Sequence, residues 1–217
     1  MMKLNLTAGK DGKLNILCLG CHSDDIEIGC GGTILRLIEE QAHCRFHWVV
    51  FSAIGVRKAE AQRAAELFAG SARLEQLLLN EFPDGFMPFV GADVKRVFEE
   101  LKKTVSPDII FTHTRKDAHQ DHRLLSEMTW NTFRNHLILE YEIPKYDGDL
   151  GQPNVFVPVE KDTYQKKIRH LMEAFGTQRS KHWFTDETFL ALMRLRGMEC
   201  VAPSGYAEAF YCRKIVL

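Results

Sequence analysis

Two short runs, Cys21-His22-Ser23-Asp24-Asp25-Ile26-Glu27 and His119-Gln120-Asp121-His122, set imidazoles beside carboxylates at two distant places in the chain. His22 and Asp25 are separated by a single turn, so both can reach one ion. His119 and His122 stand at i and i+3, which on a helix is one face, and only one of them need be a ligand. His22, Asp25 and His122 together give two nitrogens and an oxygen, a set suited to zinc that leaves a fourth position for water. Asp24 is then free to take a proton from that water as general base. His119, if protonated, can stabilise an oxyanion or hand a proton to a leaving nitrogen. Asp121 lies between the two histidines and can orient one imidazole through its other ring nitrogen. The chemistry these groups suit is metal-assisted hydrolysis.

Such residues act together only if the fold converges them. Leu14 to Cys21 is a nearly continuous apolar run, the signature of a strand buried on both faces. After the first motif come glycines at 29, 31 and 32, leading into helical apolar spacing from Thr33 to Glu40. Phe46 to Ala53 reads as a strand, Arg57 to Ala69 as a helix, Leu74 to Leu79 as a strand and Asp93 to Val105 as a helix. Asp108 to Thr114 is the next strand, and the second motif opens a helix running to Phe133. Leu137 to Ile143 and Val155 to Val157 are strand-like, with the loop Lys145 to Pro153 between them. Helices over Thr163 to Phe175 and Asp186 to Arg196 precede a closing strand over Ala209 to Val216. The alternation predicts one α/β domain over residues 1–217, a mostly parallel sheet with helices on both faces. Both motifs follow strands, and in open α/β sheets ligands collect outside the carboxyl ends of strands. The glycines fit neither GxGxxG nor GxxxxGK[ST], which argues against a phosphate cradle.

Composition narrows the partners. A formal charge of −1 with 26% charged residues gives no footing for nucleic acid or an anionic membrane. No apolar run reaches the roughly 18 residues that span a bilayer, and Met1 to Thr7 is too polar for a signal peptide. Six cysteines without a zinc-finger spacing read as reduced thiols of a cytoplasmic protein.

The string His22-Ser23-Asp24-Asp25-Ile26-Glu27-Ile28-Gly29-Cys30-Gly31-Gly32 resembles the HPDDxExGCGG signature of the PIG-L/LmbE-like zinc N-deacetylases. Asp117-Ala118-His119-Gln120-Asp121-His122-Arg123 resembles that family's D-x-H-x-D-H-R, Arg57 to Glu60 its RxxE, and Tyr206 to Phe210 its YAEAF-like end. The resemblance implies a Rossmann-like sheet and removal of an N-acetyl group from an amino sugar or its glycoside. It implies zinc on His22, Asp25 and His122, Asp24 as base and a charged His119 near the oxyanion; by its donor chemistry a two-histidine, one-aspartate set also accepts iron. It also implies Arg57 as a substrate contact and makes a homo-oligomer plausible. Ser23 stands where the family has proline, and the stretch between Phe51 and Arg57 is short. Phe175 to Gln178 matches the family only loosely and is given no role.

Simpler roles compete at several positions. Arg57 can be an i, i+3 partner of Glu60, Asp117 a brace for the second motif or a helix cap, and Glu27 a helix-start carboxylate. Cys21 and Cys30 read as small core residues, and Glu208 as facing the site. The remaining histidines are expected to be structural, with His113 nearest the site. Rival functions are an amidase for a larger acyl or thiol-conjugate amide, with Lys145 to Pro153 as its lid, and a metal-dependent sugar-binding module without turnover.

Overall fold

A computed structural model describes residues 12–41 and 43–216; the Met1 to Thr7 segment lies outside them. In chain order the elements are β1 (Leu14–His22), α1 (Asp25–Glu40), β2 (Cys44–Ser52), α2 (Val56–Ala69), β3 (Leu74–Leu79), α3 (Gly91–Thr104) and β4 (Ile109–His113). They continue with α4 (Gln120–Thr132), β5 (Leu137–Tyr141), β6 (Val155–Pro158), α5 (Lys161–Ala174), α6 (Asp186–Glu199) and β7 (Ala207–Tyr211). The strands form one seven-stranded sheet in the order β3-β2-β1-β4-β5-β7-β6. The first five are parallel, and β7 runs antiparallel between β5 and β6.

Two cores cover the two faces. Side chains alternate across a strand, so Leu14, Ile16 and Cys18 of β1 join the core with α1, α2 and α5. Leu17, Leu19 and Cys21 join the core with α3 and α4 on the other face. This is why the β1 sequence is apolar throughout rather than alternating.

The helix after the first motif begins earlier than the sequence pattern indicates. α1 starts at Asp25, so the glycines lie inside it. Glycine costs about 1 kcal/mol against alanine in a helix interior, and tertiary packing overrides that here. A Cβ on Gly29 would overlap the Tyr141 ring, and one on Gly32 would stand 2.9 Å from Glu208 Oε1. The closing strand also shifts, starting at Ala207 and ending at Tyr211. Beyond it the Cys212 amide bonds to the Asn154 side chain at 2.8 Å instead of a strand neighbour. No helix among the described residues is long and apolar enough to cross a membrane.

Candidate metal centre

β1 and β4 are neighbours, and from them the chain works outward in opposite directions, to β2 and β3 on one side and β5 on the other. The crevice at such a switch point is where doubly wound sheets place ligands. β1 ends on His22, α1 starts beside it with Asp24 and Asp25, and β4 ends on His113. The segment after β4 delivers His119 as the N-cap of α4, with His122 in its first turn.

Three donor atoms converge there. His22 Nδ1 lies 3.1 Å from His122 Nε2, and Asp25 Oδ2 lies 3.4 Å from the first and 3.6 Å from the second. Two imidazole nitrogens facing each other beside a carboxylate form a donor set that a divalent cation fits. Asp117 supports it: its Oδ2 is 2.9 Å from His122 Nδ1, which puts the ring proton on Nδ1 and turns the Nε2 lone pair inward. Burial, with His113 beside it, lowers the His122 pKa to about 4, so the ring is neutral at pH 7. Burial alone would lower His22, yet Asp121, Asp25 and Asp84 carry it well above its ordinary value. The cluster attracts positive charge.

Asp24 occupies the N-cap position of α1 but makes no side-chain cap bond. Its Oδ1 accepts from Arg57 Nη2 at 2.6 Å, and its buried Oδ2 has no partner among the described residues. Burial raises the Asp24 pKa and Arg57 opposes the rise. An N-cap aspartate ordinarily satisfies backbone amides; this one keeps an oxygen free. Arg57 therefore pairs with Asp24 and not with Glu60. Glu60 accepts from the Thr177 amide at 2.8 Å and hydroxyl at 2.6 Å, so the segment given no role meets α2.

His119 Nδ1 accepts from the Asp121 amide at 3.3 Å, leaving its proton on Nε2 in the neutral ring. Burial, then the neighbouring His22, pushes its pKa down. One ring nitrogen each of His22, His119 and His122 falls within 4.8 Å of the others. Asp121 Oδ2 lies 3.5 Å from His22 Nε2, and its oxygens hold the Gly85 and Met87 amides at 2.7 and 3.2 Å. Asp117 takes the bracing role, and its Oδ1 also accepts from the His119 amide at 2.8 Å.

Cys21, His113 and His122 also converge within 4.8 Å. Burial and then Asp25 push the Cys21 thiol up, so it stays protonated. His113 Nε2 is enclosed by the Cys21 amide at 3.1 Å and Asp25 Oδ2 at 3.2 Å. Glu27 is fully buried with both oxygens unpartnered among the described residues, and burial pushes its pKa well up. Glu208 does not face the site. It is buried with Lys167 at 2.6 Å and accepts from the Gly32 and Thr33 amides inside α1 at 2.8 and 2.7 Å. Both residues line a cavity of about 20 Å³ behind α1, which none of His22, Asp24, Asp25, His119 or His122 lines.

Asp84 was not singled out by its sequence. Its Oδ1 reaches 2.9 Å from His22 Nε2, though that nitrogen lacks a well-aligned hydrogen bond. The Pro83-Asp84-Gly85 turn signal after β3 was the available clue. The 145–150 loop is tied down: Asp149 accepts from the Ala118 amide at 2.6 Å and from Lys145 at 2.5 Å, and Lys145 reaches Asp117 at 3.0 Å.

The fold and the cluster together define a doubly wound α/β protein with a histidine–carboxylate centre at its switch point. The chain belongs to the PIG-L family, described as GlcNAc-PI de-N-acetylase, whose pattern matches residues 17–133. It is 25% identical over 177 residues to the uncharacterized deacetylase YaiS of Escherichia coli K12, covering 76% of this chain and 93% of YaiS. Its fold is similar to that of N,N'-diacetylchitobiose deacetylase from Pyrococcus horikoshii, with TM-score 0.68, 18% identity, and coverage of 92% of this chain and 83% of the other. It is also similar to GalB, the 4-carboxy-2-hydroxymuconate hydratase of Pseudomonas putida, with TM-score 0.74, 17% identity, and coverage of 94% and 98%.

Proposed function

We propose that the chain is a zinc-dependent hydrolase that removes the N-acetyl group from an N-acetylated amino sugar or its glycoside. The observation that carries this reading is the three-donor cluster of His22, Asp25 and His122 beside a buried Asp24 whose second oxygen is unpartnered. Family membership supports deacetylation, and the chitobiose deacetylase likeness favours an acetylated sugar.

His22, Asp25 and His122 would hold the metal, with Asp117 fixing the His122 tautomer. Zinc, when bound, supplies Lewis-acid polarisation of the acetyl carbonyl and lowers the pKa of water. Asp24 takes a proton from the attacking water through Oδ2 while Arg57 holds Oδ1. His119 donates from Nε2–H to the developing oxyanion. Asp24 then returns the proton to the leaving nitrogen, releasing acetate and a free amine. Arg57, paired with Asp24 and with its side chain 24% exposed, would also contact the sugar. A sugar-binding module has no use for the free Asp24 oxygen, which favours turnover.

The test is acetate release from a panel of N-acetylated amino sugars and glycosides, using metal-stripped protein with and without restored zinc. Zinc-dependent acetate is expected from at least one member. Release of a longer acid from N-acyl analogues in preference to acetate, or stoichiometric zinc without any product, overturns the assignment.

A further inference from the structure

His113 takes no part in the proposed chemistry, yet it meets every element that carries a proposed ligand. It ends β4, between β1 and β5, and is fully buried. Its Nε2 lies 3.1 Å from the amide nitrogen of Cys21, which precedes His22 on β1, and 3.2 Å from Asp25 Oδ2 at the start of α1. Its ring stacks on that of His122 from α4, with centroids 3.9 Å apart and planes 26° from parallel. Asp25 Oδ2 is the oxygen of the three-donor cluster, and it also accepts from the His22 amide at 2.7 Å.

The position of the ring proton decides what His113 does. Its Nδ1 has no partner among the described residues, so a proton there would be buried and unbonded. The Nε2 lone pair would then face the Asp25 carboxylate. On Nε2 the proton meets two acceptors, Asp25 Oδ2 and, at 3.3 Å, Tyr141 Oη. The Tyr141 hydroxyl already donates its own proton to Leu19 O at 2.7 Å, so towards His113 it can only accept. Against these stands the Cys21 amide, a donor aimed at the same nitrogen. A charge-assisted bond to a carboxylate is the stronger of the two, which places the proton on Nε2.

Resting on the metal-centre reading of the site, we propose that His113 is a positioning residue: Nε2–H donates to Asp25 Oδ2, and the ring backs the His122 imidazole. Two ligands delivered by different helices are thereby held at one separation before any metal arrives. Groups that hydrogen-bond and orient metal ligands in this way ordinarily govern metal affinity.

The experiment compares zinc affinity, by chelator competition, in wild type, His113→Gln and His113→Phe, with the metal-free Tm measured beside it. Glutamine keeps an N–H at similar reach; phenylalanine keeps the stacked ring and loses the nitrogen. His113→Phe is expected to weaken zinc about 10–100-fold and to shift the visible spectrum of the cobalt-substituted protein. His113→Gln should recover most of both. A purely structural histidine would lower the metal-free Tm in both variants and leave the zinc affinity and cobalt spectrum of the folded protein unchanged. That result overturns the proposal and leaves the deacetylase reading intact, as does zinc binding by His113→Gln no tighter than by His113→Phe. If His113→Phe does not fold, ¹⁵N NMR of the wild-type histidines decides instead: a ring proton on Nδ1 of His113 overturns the proposal, and one on Nε2 upholds it. Wild-type protein that takes up no zinc at all sinks the metal-centre reading, and this inference with it.

Discussion

In the proposed mechanism Asp24 serves chemistry by declining a structural bond. At an N-cap its carboxylate would ordinarily hold α1 amides, but it pairs with Arg57 and leaves one buried oxygen open. The proposed base and ligand functions are thereby separable. Asp24→Ala should retain bound zinc and lose about 10²–10⁴-fold in turnover, the usual share of a general base. His122→Ala should lose zinc outright, since it removes one of three converging donors. Metal analysis beside acetate assays checks both, and near-wild-type turnover in Asp24→Ala would exclude it as the base.

At the scale of elements, α1 must be set accurately because it carries Asp24 and Asp25 at its start. The device that locates it is the buried Lys167–Glu208 pair, from α5 and β7. Lys167 donates to Ile28 O at 2.7 Å while Glu208 accepts from the Gly32 and Thr33 amides. Gly32 is the residue that permits this approach. Glu208→Ala leaves a buried ammonium without its carboxylate, a change that costs roughly 3–5 kcal/mol. The urea midpoint should fall accordingly, and a midpoint close to wild type would show that the pair contributes little. Lys167 and Glu208 lie outside the family-matched residues 17–133, so the matched half depends on the unmatched half for its alignment.

For the whole molecule, a buried apolar core lies on either face of the sheet, away from the histidine–carboxylate cluster, and is expected to fold the chain without a metal. The metal-stripped protein should therefore unfold cooperatively. Free zinc at about a hundred times its Kd should add about 2.7 kcal/mol, roughly 5–10 °C in Tm for a domain of this size. Differential scanning calorimetry reads the shift. An unchanged Tm with no zinc retained would rule out the metal centre.

The sequence by itself determined the α/β alternation, because buried parallel strands and amphipathic helices have distinct apolar periods that need no partner to be read. It also placed His22, Asp24, Asp25, His119, Asp121 and His122 after strands, at the edge where ligands collect. Only the tertiary structure decided what those groups touch. Asp84 comes to His22 from another loop, Arg57 turns to Asp24 instead of its helix neighbour Glu60, and Asp117 fixes the His122 tautomer. Glu208 reads as facing the site but is buried against Lys167 instead. The start of α1 at Asp25 was hidden because glycine is a poor helix former in isolation. Tyr141 and Glu208, which crowd those glycines, are remote in sequence. Local patterns record which face of an element is apolar, whereas pairing between distant polar groups depends on distances that exist only after the sheet has closed.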